Sequence, residues 1–92
     1  MKSWIRLFRA LANKTRLKII VLLADGRERT VSSISREVHV TFHGTSRHLR
    51  LLSGLDILTD EGKDGHVYYR INGMMPRNAR RALDLFLRGS KS

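Results

Sequence analysis

The stretch Thr41-Phe42-His43-Gly44-Thr45-Ser46-Arg47-His48-Leu49-Arg50-Leu51-Leu52-Ser53 decides how this chain is read. Thr41 is suited to cap a helix, since its hydroxyl can accept an amide proton that the first turn leaves unpaired. From Phe42 onward, Thr45, Leu49 and Leu52 recur at helical spacing and give an inward stripe. His43, Ser46, Arg47 and Arg50 fall at i, i+3, i+4 and i+7 on another side. No carboxylate occurs between Thr41 and Leu55, so this second face offers donors and cations, the groups that meet phosphates and base edges. Taken alone, the pattern is equally that of an amphipathic helix with a solvated basic side, and the flanking sequence has to supply the context.

Upstream, Thr30 or Ser32 can open a short helix near 31–38 with Val31, Ile34 and Val38 turned inward. His39-Val40 then leaves room only for a tight turn before Thr41, which makes a helix-turn-helix whose second member is the opening stretch. Farther back, Asn13 can cap a helix near 14–24 that stops at Asp25-Gly26. Its β-branched run Ile19-Ile20-Val21 is read as helix, because the capped stretch of about eleven residues exceeds the usual strand of about five or six. Gly26-Arg27-Glu28-Arg29 reads as a polar connector. At the start, Trp4, Leu7, Phe8 and Leu11 mark one face of a helix near 3–12.

Downstream, strands near 57–61 and 66–71 flank Gly62-Lys63-Asp64-Gly65, whose composition predicts a hairpin turn. Val67, Tyr69 and Ile71 share one face and His66, Tyr68 and Arg70 the other, with Lys63 and His66 placing positive charge at the tip. A last helix near 75–88 begins with Pro76 in its first turn, carries Ala79, Ala82, Leu83, Phe86 and Leu87 as a stripe, and ends at Gly89. The predicted fold is mostly α with a β-hairpin wing, in the order α-α-α-α-β-β-α: one winged helix-turn-helix domain over residues 1–92.

Composition narrows the partner. Eighteen Lys and Arg against 8 Asp and Glu give a formal charge of +10 in 92 residues, which predicts a polyanion. The cations are spread through helix-like segments, which favours double-stranded DNA over a membrane surface. The opening residues carry Arg6 and Arg9 and no small-residue cleavage site, so they do not read as a signal peptide. No run approaches the ~18 apolar residues of a membrane span. With no cysteine, thiolate metal sites and disulfides are ruled out, and a cytoplasmic, nucleoid-associated protein is expected. Four histidines are present, but His43 and His48 stand five apart, a poor spacing for shared chelation, and no metal or cofactor is expected. Nor is there a nucleophile-base pair, a pair of carboxylates or a phosphate-cradling glycine loop to suggest an enzyme.

With this order of elements in hand, the chain resembles the ArsR-type winged-helix repressors from roughly Leu7 to Leu87. Leu11-Ala12-Asn13-Lys14-Thr15-Arg16-Leu17-Lys18-Ile19-Ile20 is similar to that family's LADPTRLRIL, Thr45-Ser46-Arg47-His48-Leu49-Arg50-Leu51-Leu52 to its TVSRHLKVL, and His66-Val67-Tyr68-Tyr69-Arg70-Ile71 to its RVYYRL. The resemblance implies a homodimer built from the first and last helices, with recognition helices in successive major grooves. It also implies that Phe42, His43, Ser46 and Arg47 face DNA. There are departures. The family's Cys-x-Cys metal-sensing pair is absent, and the last helix has one Asp and no His to bind zinc. Gly44 stands where Ser or Thr is usual, at a cost of roughly 1 kcal/mol relative to Ala inside a helix. Asp56 replaces the glycine that commonly ends the recognition helix.

The candidate DNA-contacting residues are therefore Thr41, Phe42, His43, Thr45, Ser46, Arg47, Arg50, Lys63, His66 and Tyr68. Arg47 is suited to guanine O6 and N7, and Arg50, Lys63 and His66 to phosphates. Trp4, Leu7, Phe8, Leu11, Leu83, Phe86 and Leu87 are the candidate dimer interface, since so small a domain leaves its terminal helices partly uncovered. The expected function is that of a sequence-specific transcriptional regulator, a repressor at a near-palindromic operator. The competing reading is a winged-helix module for protein assembly or nonspecific nucleic-acid binding.

Overall fold

A computed structural model describes residues 1–90, the side chain of Ser90 excepted, so Lys91 and Ser92 of the predicted 1–92 domain lie outside the described residues. The element order is α1 (Lys2–Leu11), α2 (Lys14–Leu23), β1 (Arg29–Thr30), α3 (Val31–Val38), α4 (Phe42–Gly54), β2 (Leu58–Lys63), β3 (His66–Ile71) and α5 (Arg77–Ser90). Each predicted cap is made. Asn13 Oδ1 accepts from the Arg16 amide at 3.1 Å, Thr30 Oγ1 from Ser33 at 3.1 Å and Thr41 Oγ1 from Gly44 at 3.0 Å. The Ile19-Ile20-Val21 run is helical, and Ile19, Ile20 and Leu23 of α2 are sealed from solvent. They pack with Ile34 of α3, Leu49 and Leu52 of α4, Ile57 and Leu58 at the base of the hairpin and Leu83 of α5. That one core fixes the angle at which α4 is presented.

The sheet has three strands, in the order β1-β3-β2, all antiparallel, where a two-stranded hairpin is expected. Arg29 pairs with Tyr69 and Thr30 with Tyr68, so the predicted connector carries the start of a strand at its end. Two residues are too few to display a period-two pattern, which is why β1 is not visible in the sequence. Strand β2 runs through Gly62 and Lys63 and pairs Lys63 with His66. The expected four-residue turn is thus only Asp64-Gly65, both at positive φ (54° and 77°), as a two-residue type I′ hairpin needs. Helix α5 starts just after Pro76, whose carbonyl accepts from Arg80 at 3.0 Å, and continues past Gly89.

The end of α4 accommodates Asp56 without glycine. Its φ is 60°, the Ile57 amide donates to Leu52 at 3.1 Å and the Asp56 amide to Ser53 at 3.0 Å, which together form a Schellman cap. Asn72 braces that cap by donating its side-chain amide to the Asp56 carbonyl and its backbone amide to Ile57, each at 2.9 Å. Aspartate tolerates the left-handed region better than most side chains, and the wing's last residue holds it there.

Candidate nucleic-acid interface

The turn between α3 and α4 is built by His39, in the left-handed region at φ 57°, which lets the Val40 amide reach back to the Ser35 carbonyl at 3.3 Å. The Val40 carbonyl then receives two hydroxyls, Ser35 Oγ from α3 and Thr45 Oγ1 from α4, the latter at 3.4 Å. The two helices of the helix-turn-helix are thus tied at one oxygen. Thr45 is 0% exposed, so the expectation that it contacts DNA is corrected: it lies on the inward stripe and braces the turn.

The outward face of α4 presents Phe42, His43, Arg47 and Arg50 to solvent, with Ser46 half-buried between them and the Thr41 side chain at the tip. Phe42 is 56% exposed. Neither Arg47 nor Arg50 is engaged in an ion pair among the described residues. Asp60 of the wing accepts the Ser53 hydroxyl at 3.0 Å at the far end of the helix.

The wing differs from the expected basic tip. Lys63 Nζ is bound to Glu28, and it also lies 4.8 Å from the centre of the Tyr68 ring. The hydrogen bond it donates to Glu28 raises the Lys63 pKa, so the ammonium is kept charged and is offset by its partner. His66 meets Tyr68 edge-on at 6.5 Å. Between Leu58 and Ile71 the hairpin carries Asp60, Glu61 and Asp64 against Lys63 and Arg70, so its charge is mixed in sign. Phosphate contacts from this wing would have to be made beside carboxylates.

Arg16 is a residue that sequence patterning did not single out. Lying in the first turn of α2, it donates Nε to the Ala10 carbonyl at 2.6 Å and Nη2 to Arg9 at 3.5 Å, filling carbonyls that the end of α1 leaves open. Its Nη1 stands 3.1 Å from Nδ1 of His48 on α4. The signal was available: Arg16 and His48 belong to two of the three strings on which the family resemblance rests, and the fold brings those strings together.

At the terminal helices, Trp4 and Phe8 form a tilted ring pair 5.5 Å apart, and Phe8 is 58% and Leu85 70% exposed. Leu11, Phe86 and Leu87 are half-buried. Leu7 and Leu83, by contrast, are buried within the single chain, so their assignment to the interface is corrected: they belong to the core of the protomer. Among the described residues no three His, Cys, Asp or Glu side chains converge as metal ligands, and no helix is long and apolar enough to cross a membrane.

This geometry can be set beside known proteins. Residues 13–60 match the family described as bacterial regulatory protein, arsR family. The chain is 34% identical over 80 residues to the arsenical resistance operon repressor of Escherichia coli, covering 87% of this chain and 68% of that protein. It is 31% identical over 65 residues to the transcriptional repressor SdpR of Bacillus subtilis, covering 71% of each. Its fold is similar, with a TM-score of 0.80 and 29% identity, to the homodimeric winged helix-turn-helix DNA-binding domain of a possible ArsR-family regulator from Mycobacterium bovis, over 98% of this chain and 80% of that one. The α2, α3 and α4 framework that carries the exposed cationic face lies within the matched residues, and the chain belongs to the arsR family of bacterial regulatory proteins.

Proposed function

We propose that the chain is a sequence-specific DNA-binding transcriptional regulator that acts as a homodimer on a near-palindromic operator and represses by occupying it. The observation that carries this is the outward face of α4, where His43, Ser46 and Arg47 stand clear of any carboxylate on a helix fixed at both ends by caps. In this reading Arg47 donates to guanine O6 and N7, and His43 and Ser46 reach neighbouring base edges or phosphates. Thr41, Phe42 and Arg50 flank them, with Arg50 on the backbone. Wing residues His66 and Tyr68 touch the backbone at most, and Lys63 is held by Glu28. Two protomers joined through Trp4, Phe8, Leu11, Phe86 and Leu87 of α1 and α5 would set the helices roughly 34 to 36 Å apart, one turn of duplex. The repressors named among its relatives and the homodimeric fold neighbour support this reading. So does the charge of +10, and the protein would work in the cytoplasm at the nucleoid. No thiolate is available in this sequence to gate release by metal.

Selection of bound duplexes from a random pool tests the proposal. An enriched inverted repeat with a one-turn spacing is the expected result. Recovery of unrelated sequences would favour the alternative, a winged-helix module for assembly or nonspecific nucleic-acid binding.

A further inference from the structure

We propose that Arg16 and His48 are a positioning pair that holds Arg47 in its DNA-reading attitude, and that the pair operates only while the His48 imidazole is neutral. The inference rests on the regulator reading of α4 given above. A guanidinium has five donors and no acceptor, so the 3.1 Å contact between Arg16 Nη1 and His48 Nδ1 requires an unprotonated Nδ1. The imidazole then carries its proton on Nε2. Protonating Nδ1 would turn an acceptor into a donor and set two cations against each other.

Arg16 cannot simply move aside, because its Nε is spent on the Ala10 carbonyl at 2.6 Å and Nη2 on Arg9. It is a fixed post between the end of α1 and the start of α2, and His48 is the point at which α4 leans on it. Arg47 is the next residue along α4, and its side chain lines the same recess of about 320 Å³ with Arg16, Gly44, His48 and Leu51. The pair and the Arg47 side chain therefore bound one recess, so the position of His48 shapes the space open to Arg47.

The charged groups that face His48 are all cations: Arg16 from α2 and Arg47 from α4, with Arg9 of α1 reached through its carbonyl. Among the described residues no carboxylate lines the recess. Desolvation, then Arg16 and Arg47, lower the pKa of His48, which agrees with a neutral ring at neutral pH. Acidification beyond that point adds a third positive charge to a space already holding two. The exposed basic groups on the same helix attract phosphate without regard to sequence. The quantity that reports the pair is thus the ratio of specific to nonspecific affinity, not affinity alone.

Two measurements test this. Ring-nitrogen NMR of the free protein should show His48 as the Nε2–H tautomer, titrating below the ordinary imidazole value; an Nδ1–H tautomer, or protonation at the ordinary value, overturns the pair. Binding to the duplex enriched by selection and to a random duplex should then be compared from pH 8 to pH 5.5, where circular dichroism shows a folded protein. The wild-type ratio should fall about tenfold, the scale of losing one charge-assisted hydrogen bond. His48→Asn keeps an acceptor near the place of Nδ1 and cannot titrate, so its ratio should change by no more than about twofold over the same range. Arg16→Lys keeps the charge but loses the fork, and should show the low ratio already at pH 8 with little further change. Parallel falls in wild type and both variants overturn the inference while leaving the regulator reading standing. Failure to enrich any duplex removes the regulator reading, and the role of the pair with it.

Discussion

The Thr41 hydroxyl oxygen accepts the Gly44 amide at 3.0 Å, and a methyl group placed on Gly44 would stand 3.0 Å from that same oxygen and 3.1 Å from Cγ1 of Val40. Gly44 is therefore the residue that lets Thr41 close tightly over the first turn of α4. Alanine inside a helix ordinarily gains about 1 kcal/mol over glycine, whereas losing an N-cap costs about 0.5–2 kcal/mol. Gly44→Ala is expected to leave stability unchanged or lower it by about 1 kcal/mol, as read from denaturant midpoints. A gain of the full propensity increment would show that Thr41 yields without losing its cap.

Arg47→Ala is expected to lower operator affinity by about 1–3 kcal/mol and to relax the preference at one base position. Affinity for random duplex should fall much less. Equal losses on both duplexes would assign Arg47 to the backbone.

Lys63→Ala should barely alter the dependence of DNA binding on salt. A lysine that neutralises a phosphate contributes about 0.9 to the slope of log affinity against log salt, but Lys63 is occupied by Glu28. Glu28→Gln, which frees the ammonium, should steepen the slope. A drop of about 0.9 on removing Lys63 would show that DNA takes the lysine from its partner.

Phe8 and Leu83 should separate assembly from folding. Phe8→Asp places a charge on an exposed face and is expected to shift sedimentation from dimer to monomer with the fold retained. Leu83→Ala opens the protomer core and should cost about 2–5 kcal/mol of folding stability. A monomeric wild type at micromolar concentration would discard the dimer model.

His48 should also leave a mark on folding. Its pKa is lowered in the folded chain, so the unfolded chain binds the proton first as pH falls. The contribution is complete above the ordinary imidazole value of about 6.5 and is lost as pH falls below it toward the lower folded value. The melting temperature of wild type should therefore fall more between pH 7.5 and pH 5.5 than that of His48→Asn. Equal falls would place the loss at other groups.

Much of this was legible in the sequence, where local chemistry and periodicity agree. The Asn13, Thr30 and Thr41 caps and the inward stripes of α3 and α4 all follow from residues a few positions apart. What escaped depends on partners distant in the chain. Lys63 looks like a free cation until Glu28, 35 residues away, is folded beside it. Arg16 looks like one more surface charge until α4 brings His48 to it from 32 residues on. Thr45 satisfied both the inward spacing and the polar composition of a DNA face, and burial decided between them. Leu7 shares its stripe with the exposed Trp4 and Phe8, and Leu83 with the half-buried Phe86 and Leu87, and helical spacing alone does not mark where a core ends and a contact surface begins.

Strand β1 is only two residues long, yet Thr30 both ends it and caps α3, while Arg29 and Thr30 are laced to Tyr69 and Tyr68 of β3. On the other side, Asn72, just past β3, clasps the end of α4. The hairpin is thus tied to the front of one helix and the back of the other, contacts that oppose its swinging as a flap. In the proposed dimer, such a build would leave little give inside each copy. Tolerance for a base pair more or less between half-sites would then have to come from the joint between copies, proposed above to lie at Trp4 and Phe8, and that joint is where a change in operator spacing should be felt.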